Sequence, residues 1–435
     1  MSEAFLSNIK AAHFIGIGGI GVSAVARMML ERGVSVSGSD RAPSLVTEKL
    51  TALGAHIFFG HDAAHLPEDA SIVVYSPAIP DENPELRAAR EREVPTYSYP
   101  EALGMISRGM RTVAIAGTHG KTTTTAMIAD VLVGAHQSPT VIVGSLLKKT
   151  GSNFIAGTSD IFVVEACEYK RSFLNLSPEI LVITNIDNDH LDYYGSIEGI
   201  QTAFAELVQK VPASGAVVCN PNDPLVAPVL AKAVAHIVDY TKENLNTELA
   251  VSGEHNIKNA KAALVVARLL DVEEGEAVSF LAKFEGTWRR MENKGVTASG
   301  SLVYDDYAHH PTEIKATLQG FRAKYPEGNI RVVFQPHLYS RTKLLLDDFA
   351  QSFGDANEVI VASIYAAREA SDPTVTAEIL AQRIMDEQKT PGLRVWAMID
   401  FITIENYLRE TEAKGDIIVT MGAGDIHKIG EALIK

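Results

Sequence analysis

The chain has 435 residues, of which 46% are hydrophobic and 21% charged; these are globular proportions that argue against disorder. At roughly 150 residues per domain, this length suggests about three domains. Lys plus Arg (39) against Asp plus Glu (54) leaves a formal charge of −15, the wrong balance for a nonspecific nucleic-acid binder. An anionic ligand would therefore have to be held by local cations and backbone amides. The two cysteines, Cys167 and Cys219, form no CxxC or metal-ligand spacing, which points to a reducing compartment without a disulfide framework. The opening residues place Glu3 early and offer no basic stretch before a long apolar run, so no signal peptide is expected. No segment reaches the roughly 18 apolar residues of a membrane span. The expectation is a soluble, cytoplasmic protein with no membrane or nucleic-acid partner, as monomer or homodimer.

Short apolar runs alternate with helix-period segments along the chain. Strands are expected at His13–Ile17, Ile72–Tyr75, Thr112–Ala116, Ile161–Glu165, Ile180–Thr184, Ala216–Cys219, Arg331–Phe334, Glu358–Ala362 and Asp416–Thr420. Few of them alternate strictly. Continuous apolar strands separated by helices indicate parallel sheets covered on both faces. The strand–helix order restarts three times, giving expected domains 1–107, 108–285 and 286–435.

In the first domain, Gly16-Ile-Gly18-Gly19-Ile20-Gly21 follows a strand and precedes a helical stretch, Val22–Leu30. Asp40 ends the next strand about 20 residues on, the position of the ribose-binding carboxylate in a dinucleotide fingerprint. Glycines there allow a tight turn and close approach to a diphosphate at a helix N-terminus. The pattern specifies a nucleotide diphosphate and leaves a nicotinamide dinucleotide open beside other nucleotides.

In the second, Gly117-Thr118-His119-Gly120-Lys121-Thr122-Thr123 lies between a strand and the helical Thr124–Val133. It is not a strict GxxxxGK motif. Its glycines nonetheless free backbone amides for phosphates, Lys121 supplies a charge for the β/γ oxygens, and Thr122 a hydroxyl for Mg²⁺, which together point to ATP. Glu165 ends one following strand, and His190 lies in the loop after another. Both are candidate Mg²⁺ ligands, directly or through water. Asp187, Asp189 and Asp192 read equally well as caps and turn formers.

In the third, Arg289 and Arg290 sit at the junction. The run Val303-Tyr-Asp305-Asp306-Tyr307-Ala-His309-His310 follows a strand and leads into a helix at Thr312. His337 and Arg341 follow another strand, and Gly422 and Gly424 follow the last. Such loops suggest a polar crevice facing the ATP site. His309-His310 lacks a third ligand at zinc spacing, so one of the pair is expected to be structural.

These segments, together with EACEYKRSFL, TNIDNDHLDYYGS, GEHNIKNAKAAL, FEGTWRRME, DDYAHHPTEI, QPHLYSRT and MGAGDIHKIG, resemble the Mur ligase family in family order over nearly the whole chain. The resemblance implies an α/β protein of three domains: an N-terminal Rossmann-like domain, a central P-loop ATPase-type parallel sheet with helices, and a C-terminal Rossmann-like domain. It implies ATP and Mg²⁺ as cofactors, and UDP-N-acetylmuramate and L-alanine as substrates joined through an acyl phosphate. A relative that adds a tripeptide to the same sugar nucleotide is the alternative. By the same resemblance, Gly18, Gly19, Ile20, Gly21 and Asp40 would hold the UDP-sugar. Gly117, Thr118, His119, Gly120, Lys121, Thr122, Thr123, His255, Asn256, Asn259 and Asp305 would hold ATP, with Asp305 or Asp306 reaching its ribose. Thr122, Glu165 and His190 would hold the metal. Lys121, His190, Arg290 and His309 would be catalytic, and His337 and Arg341 would line the amino-acid side.

Two departures from the family pattern stand out. The segment 240–252 is short where relatives carry extra strands, so a secondary sheet should be small or missing. Leu191–Gln209 contains no lysine, whereas many family members carbamylate one there.

Overall fold

The computed structural model describes residues 9–367, 369–387 and 392–435, without the side chain of Asp192. The reading of the first eight residues, and Asp192 as a cap, therefore lie outside what is described. Three α/β sheets are present, in two compact units. One unit ends at Glu248 and resumes over Lys258–Phe284; the other comprises Leu249–Ile257 and Glu285–Lys435.

The first unit holds two sheets. Strands β1 (Ala11–Ile15), β2 (Ser35–Asp40), β3 (His56–Phe59), β4 (Ile72–Tyr75) and β5 (Thr96–Ser98) form an all-parallel sheet in the order β3-β2-β1-β4-β5. The order reverses beside β1, the switch point where open α/β sheets bind ligands beyond their strand ends. The second sheet runs β12-β11-β10-β6-β9-β7-β8. Its members are β6 (Arg111–Ala116), β7 (Thr140–Leu147), β8 (Ser152–Ile155), β9 (Ile161–Glu165), β10 (Ile180–Ile183), β11 (Ala216–Cys219) and β12 (His236–Asp239). Only β8 is antiparallel to its neighbour. Val113–Ala116, Phe162–Val164 and Leu181–Ile183 are almost completely buried, as strands covered on both faces must be. Each fully buried Val or Ile there contributes about 1.5–3 kcal/mol.

One continuous apolar core runs through both sheets of this unit. Helix Tyr99–Ser107 packs so closely on the 169–175 segment that a Cβ on Gly104 would lie 2.4 Å from the Asn175 carbonyl oxygen. The N-terminal sheet also buries a polar network. His13 Nε2 lies 2.8 Å from Glu85 Oε2, and Ser39 donates to Oε1 at 2.8 Å. His61 Nδ1 also lies 2.8 Å from Oε1. Burial opposes the Glu85 charge, but the bonds from His13, His61 and Ser39 outweigh it and hold the carboxyl below its ordinary range.

The second unit has one sheet, β13-β14-β18-β15-β16-β17: β13 (Glu292–Val296), β14 (Leu302–Asp306), β15 (Ile330–Phe334), β16 (Glu358–Val361), β17 (Arg394–Ala397) and β18 (Ile417–Met421). Only β13 is antiparallel. Residues 303–306, expected to follow a strand, are themselves the strand, because the apolar Leu302-Val303-Tyr304 carries the pairing with β18 on to Asp306. In the short connection 240–252, Tyr240–Lys242 form a 3-10 helix and no strand is present. Among the described residues, no helix is long and apolar enough to cross a membrane.

Candidate functional site

The first glycine loop leaves β1 with its shape fixed by β2. Gly16 and Ile17 amides donate to the Ser39 carbonyl (2.8 and 3.0 Å), and Gly16 adopts φ +76°, which favours glycine. The helix begins at Ile20, two residues before the expected start, and its N-cap Gly19 offers no side-chain cap. Its first amides therefore point outward without intrahelical acceptors. Gly21 is required for packing: a Cβ there would lie 2.6 Å from the Tyr99 ring. Asp40, expected at a ribose, instead accepts from the amides of Gly18 and Arg41, both at 2.7 Å. A carboxylate thus already sits on one amide of the anion-binding turn.

The second loop follows β6 and opens helix Lys121–Gly134. Four threonines in succession are poor helix formers. This helix forms because Thr122, Thr124 and Thr125 are buried and Thr125 bonds back to the Lys121 carbonyl at 2.8 Å. Gly120, the N-cap, is left-handed (φ +83°) and provides no side-chain cap, which leaves the amides of the first turn directed at the loop's mouth. The loop is latched to the one after β10. Thr118 N donates to Asn185 O (3.1 Å) and His119 N to Asn185 Oδ1 (2.9 Å), while Thr184 Oγ1 and Asn185 Nδ2 donate to His119 O (2.6 and 3.0 Å). Asp187 N donates to Thr118 Oγ1 at 2.8 Å, and His119 Nε2 is 3.0 Å from Asp187 Oδ2. Asp187 is therefore part of the latch. A Cβ on Gly117 would lie 2.0 Å from Thr184 Oγ1, and one on Gly120 2.7 Å from Asn259 Oδ1, which puts Asn259 against the loop.

Lys121 Nζ donates to the carbonyls of Gly117 (2.5 Å) and Thr118 (3.0 Å) and to Glu168 Oε1 (3.0 Å). Glu168 Oε2, 2.9 Å from Nζ, lies off the hydrogen-bond line. Burial works against the Lys121 charge, but Glu168 outweighs it and raises the pKa above the usual lysine value. Glu168 is only 4% exposed and was not singled out from the sequence. Beside this pair, Thr122 Oγ1 donates to Glu165 Oε2 at 2.9 Å, and the same oxygen accepts from Gly144 N at 2.8 Å. His190 stands with Glu168 and Asp189, its Nε2 3.7 Å from each carboxylate, and its ring meets Tyr169 at 4.7 Å. Two of the three expected metal ligands, Thr122 and Glu165, are thus in contact, and both offer oxygen.

The second unit brings together a different set. Arg289 and Arg290 flank the Tyr307 ring at 5.1 and 5.2 Å, with opposite fates. Arg289 is 3% exposed; it donates to Asp305 Oδ2 (2.7 Å), Gly424 O (2.8 Å) and Gly422 O (2.7 Å). Asp305 is 0% exposed, and its other oxygen accepts from Thr420 at 2.6 Å. The expectation that Asp305 reaches the ATP ribose is corrected accordingly: both its oxygens are taken inside the sheet. Asp306 is also buried, accepting from the amides of Met291 (2.7 Å) and Ala308 (2.8 Å). Burial pushes its pKa up to about 6, against the opposing pull of Arg290.

Arg290 is the more open arginine, 3.8 Å from Glu313. Glu313 is 3.2 Å from His309 Nδ1, and the His309 ring lies 5.9 Å from that of His337. His337 Nδ1 accepts from Arg341 Nη1 at 3.2 Å and stacks on Tyr365. Arg290, Glu313, His309, His337 and Arg341 thus form one chain of contacts after β14 and β15. His310 is buried as N-cap of helix Pro311–Lys324, with Nδ1 accepting from Thr312 N at 3.3 Å. Asn256 is buried and donates to Ser252 O at 2.7 Å, and His255 packs against Gly253.

Comparison with known proteins gives matches along most of the chain. Family models match residues 11–111 (Mur ligase family, catalytic domain), 115–246 (Mur ligase middle domain) and 289–424 (Mur ligase, glutamate ligase domain). The UDP-N-acetylmuramate–L-alanine ligase of Clostridium acetobutylicum is 42% identical over 98% of each chain. That of Clostridium kluyveri is 39% identical over the full length of both, in an alignment of 463 positions that exceeds the 435 residues here. That relative therefore carries residues with no counterpart in this chain. Among solved structures, the UDP-N-acetylmuramate-alanine ligase of Thermotoga maritima covers 98% of both chains with a TM-score of 0.81 at 28% identity. A murein peptide ligase of Psychrobacter arcticus shares the fold at 24% identity and a TM-score of 0.71.

Proposed function

The chain belongs to the Mur ligase family, and from that premise we propose that it uses ATP to join L-alanine to the lactyl carboxylate of UDP-N-acetylmuramate, in cytoplasmic synthesis of peptidoglycan precursors. The observation that carries this reading is the 42% identity, over 98% of both chains, to a ligase named for that substrate pair.

A carboxylate is a poor acylating agent, so transfer of the ATP γ-phosphoryl group to it comes first, giving an acyl phosphate and ADP. Attack by the alanine amine then releases phosphate. Both steps gather negative oxygens, and their catalysis rests on positioning and charge. In this reading the amides of Gly120–Thr123 and the Lys121 ammonium hold the transferring phosphates, and Thr118 and His119 shape the loop through Asn185 and Asp187. Asn259, with His255 and Asn256, frames the adenine. In the second unit, Arg290 offers a partly exposed guanidinium for an anionic ligand. Thr122 and Glu165 present the hard oxygen donors that Mg²⁺ requires, and His190 would join them directly or through water. When bound there, the ion neutralises phosphate charge. Gly18, Gly19, Ile20 and Gly21 hold the UDP diphosphate, for which Asp40 must yield the Gly18 amide or share it. Arg341 and His337 hold the amino-acid carboxylate. Arg341 can only donate, so His337 Nδ1 is an acceptor and its proton sits on Nε2, a second donor for that carboxylate.

An acceptor screen tests the reading. With UDP-N-acetylmuramate, ATP and Mg²⁺, ADP release is expected to depend on L-alanine; dependence on the tripeptide L-Ala-γ-D-Glu-diaminopimelate instead would overturn it.

A Cβ on Gly18 would lie 2.8 Å from Asp40 Oδ2 and 3.1 Å from the Thr47 methyl. Gly18→Val is therefore expected to weaken UDP-N-acetylmuramate binding with little change for ATP. Calorimetric titration of both ligands checks this, and unaltered sugar-nucleotide affinity would remove the first loop from the site.

A further inference from the structure

The amine that attacks an acyl phosphate must be neutral, yet the amino group of free L-alanine is an ammonium at neutral pH. The groups that hold the phosphates and the amino-acid carboxylate do not remove its proton. The second unit contains a histidine arranged for that task. His309 Nδ1 lies 3.0 Å from the Tyr307 carbonyl oxygen and 3.2 Å from Glu313 Oε2. A carbonyl oxygen can only accept, so Nδ1 carries a proton, which leaves Nε2 as the basic atom of the ring. Among the described residues, no hydrogen bond or ion pair involves Nε2, and the side chain is 18% exposed. Glu313 holds the ring in place twice over, because the same carboxylate oxygen accepts from the His309 amide at 3.1 Å. A neighbouring imidazole, His337, has the opposite tautomer, since its Nδ1 faces a guanidinium. Two rings 5.9 Å apart are thus prepared for opposite tasks, one to donate and one to accept.

We propose that His309 Nε2 is the base that deprotonates the incoming amino acid, with Glu313 as the positioning residue that fixes its tautomer. The inference rests on the reading of the chain as an amino-acid ligase. One ammonium proton passes from alanine to His309 Nε2. The freed lone pair forms the C–N bond at the acyl carbon, and the carbonyl π pair moves onto oxygen. On collapse that pair re-forms the carbonyl, and the C–O bond to phosphate breaks with its electrons on the leaving oxygen. The second nitrogen proton goes to the departing phosphate, and the imidazolium returns its proton to solvent. An imidazole aligned by a carboxylate and a carbonyl follows the general logic of oriented bases.

The test replaces L-alanine with hydroxylamine, a nucleophile largely uncharged at neutral pH that needs no base. In the full-length protein with ATP, Mg²⁺ and UDP-N-acetylmuramate, His309→Gln is expected to lower kcat for L-alanine by about 10²–10⁴-fold. Hydroxamate formation with hydroxylamine should fall far less. Glu313→Gln, which keeps an oxygen for the His309 amide and so guards against a folding defect, should show the same split at smaller amplitude with KM for alanine little changed. Equal losses with both nucleophiles in either variant, or full alanine turnover in His309→Gln, would overturn the assignment. If the unmodified chain released ADP with neither nucleophile, the ligase reading itself would fall, and this inference with it.

Discussion

Replacing Lys121 with alanine is expected to lower turnover by about 10²-fold or more, as for loss of a principal group that stabilises charge in the transition state. The ammonium is the cation within hydrogen-bond reach of both the Gly117 and Thr118 carbonyls, so it stands at the mouth where the loop's amides converge. Its partner Glu168 is buried, and the pair keeps lysine charged despite desolvation. The variant also leaves Glu168 without its cation, which adds a stability cost. Turnover must therefore be compared at a temperature where unfolding scans show both proteins folded. ADP release measured by a coupled assay checks the result, and near-normal release from folded Lys121→Ala would refute the assignment of the ATP loop.

The second large effect is on stability. Arg289→Ala is expected to destabilise the C-terminal unit by about 3–5 kcal/mol, because it leaves the Asp305 charge buried without its partner. The same guanidinium satisfies the carbonyls of Gly422 and Gly424, so the loss includes two backbone acceptors in the turn after central strand β18. Denaturant unfolding monitored on Trp288 and Trp396 measures it. Arg290→Ala provides the contrast: its guanidinium is partly exposed and its ion pair long, so less than about 1 kcal/mol is expected, as for surface pairs. Equal costs for the two arginines would show that the assignment of structural and ligand-facing roles is wrong.

These arginines also show what a sequence can and cannot reveal. The glycine, lysine and threonine residues after β1 and β6 are legible because a tight turn at a strand end needs those residue types in that order. The central strands are legible because burial on both faces demands unbroken Val, Ile and Phe. The sheet margins β3, β5, β8, β12, β13 and β17 were not among the runs read as strands, because an edge strand meets solvent and mixes polar residues into a short span; interior β7 was not read either, its apolar run being broken by Gly144 and Ser145. Whether Arg289 or Arg290 points inward depends on Asp305, 16 positions away in the chain, and on a left-handed backbone at Arg289 (φ +58°). Neither leaves a local pattern. Asp305 was placed at the ribose by the family resemblance alone, and its burial is decided by that same partner. Glu168 was missed because it caps an irregular segment in which Lys170 and Arg171 are both left-handed, so no period marks it as inward-facing.

The latch between residues 117–120 and 184–187 couples two stretches of sequence that lie far apart. The cradle's curvature is set by how β6 and β10 align, Ala116 opposite Ile183, and by side chains borrowed from the second loop. Variation at Thr118, His119, Asn185 or Asp187 is therefore tolerable only in concert, and an insertion in either hairpin-free strand end would misshape the other. Any breathing of the cradle as nucleotide enters and leaves must carry both tips together, as one jaw.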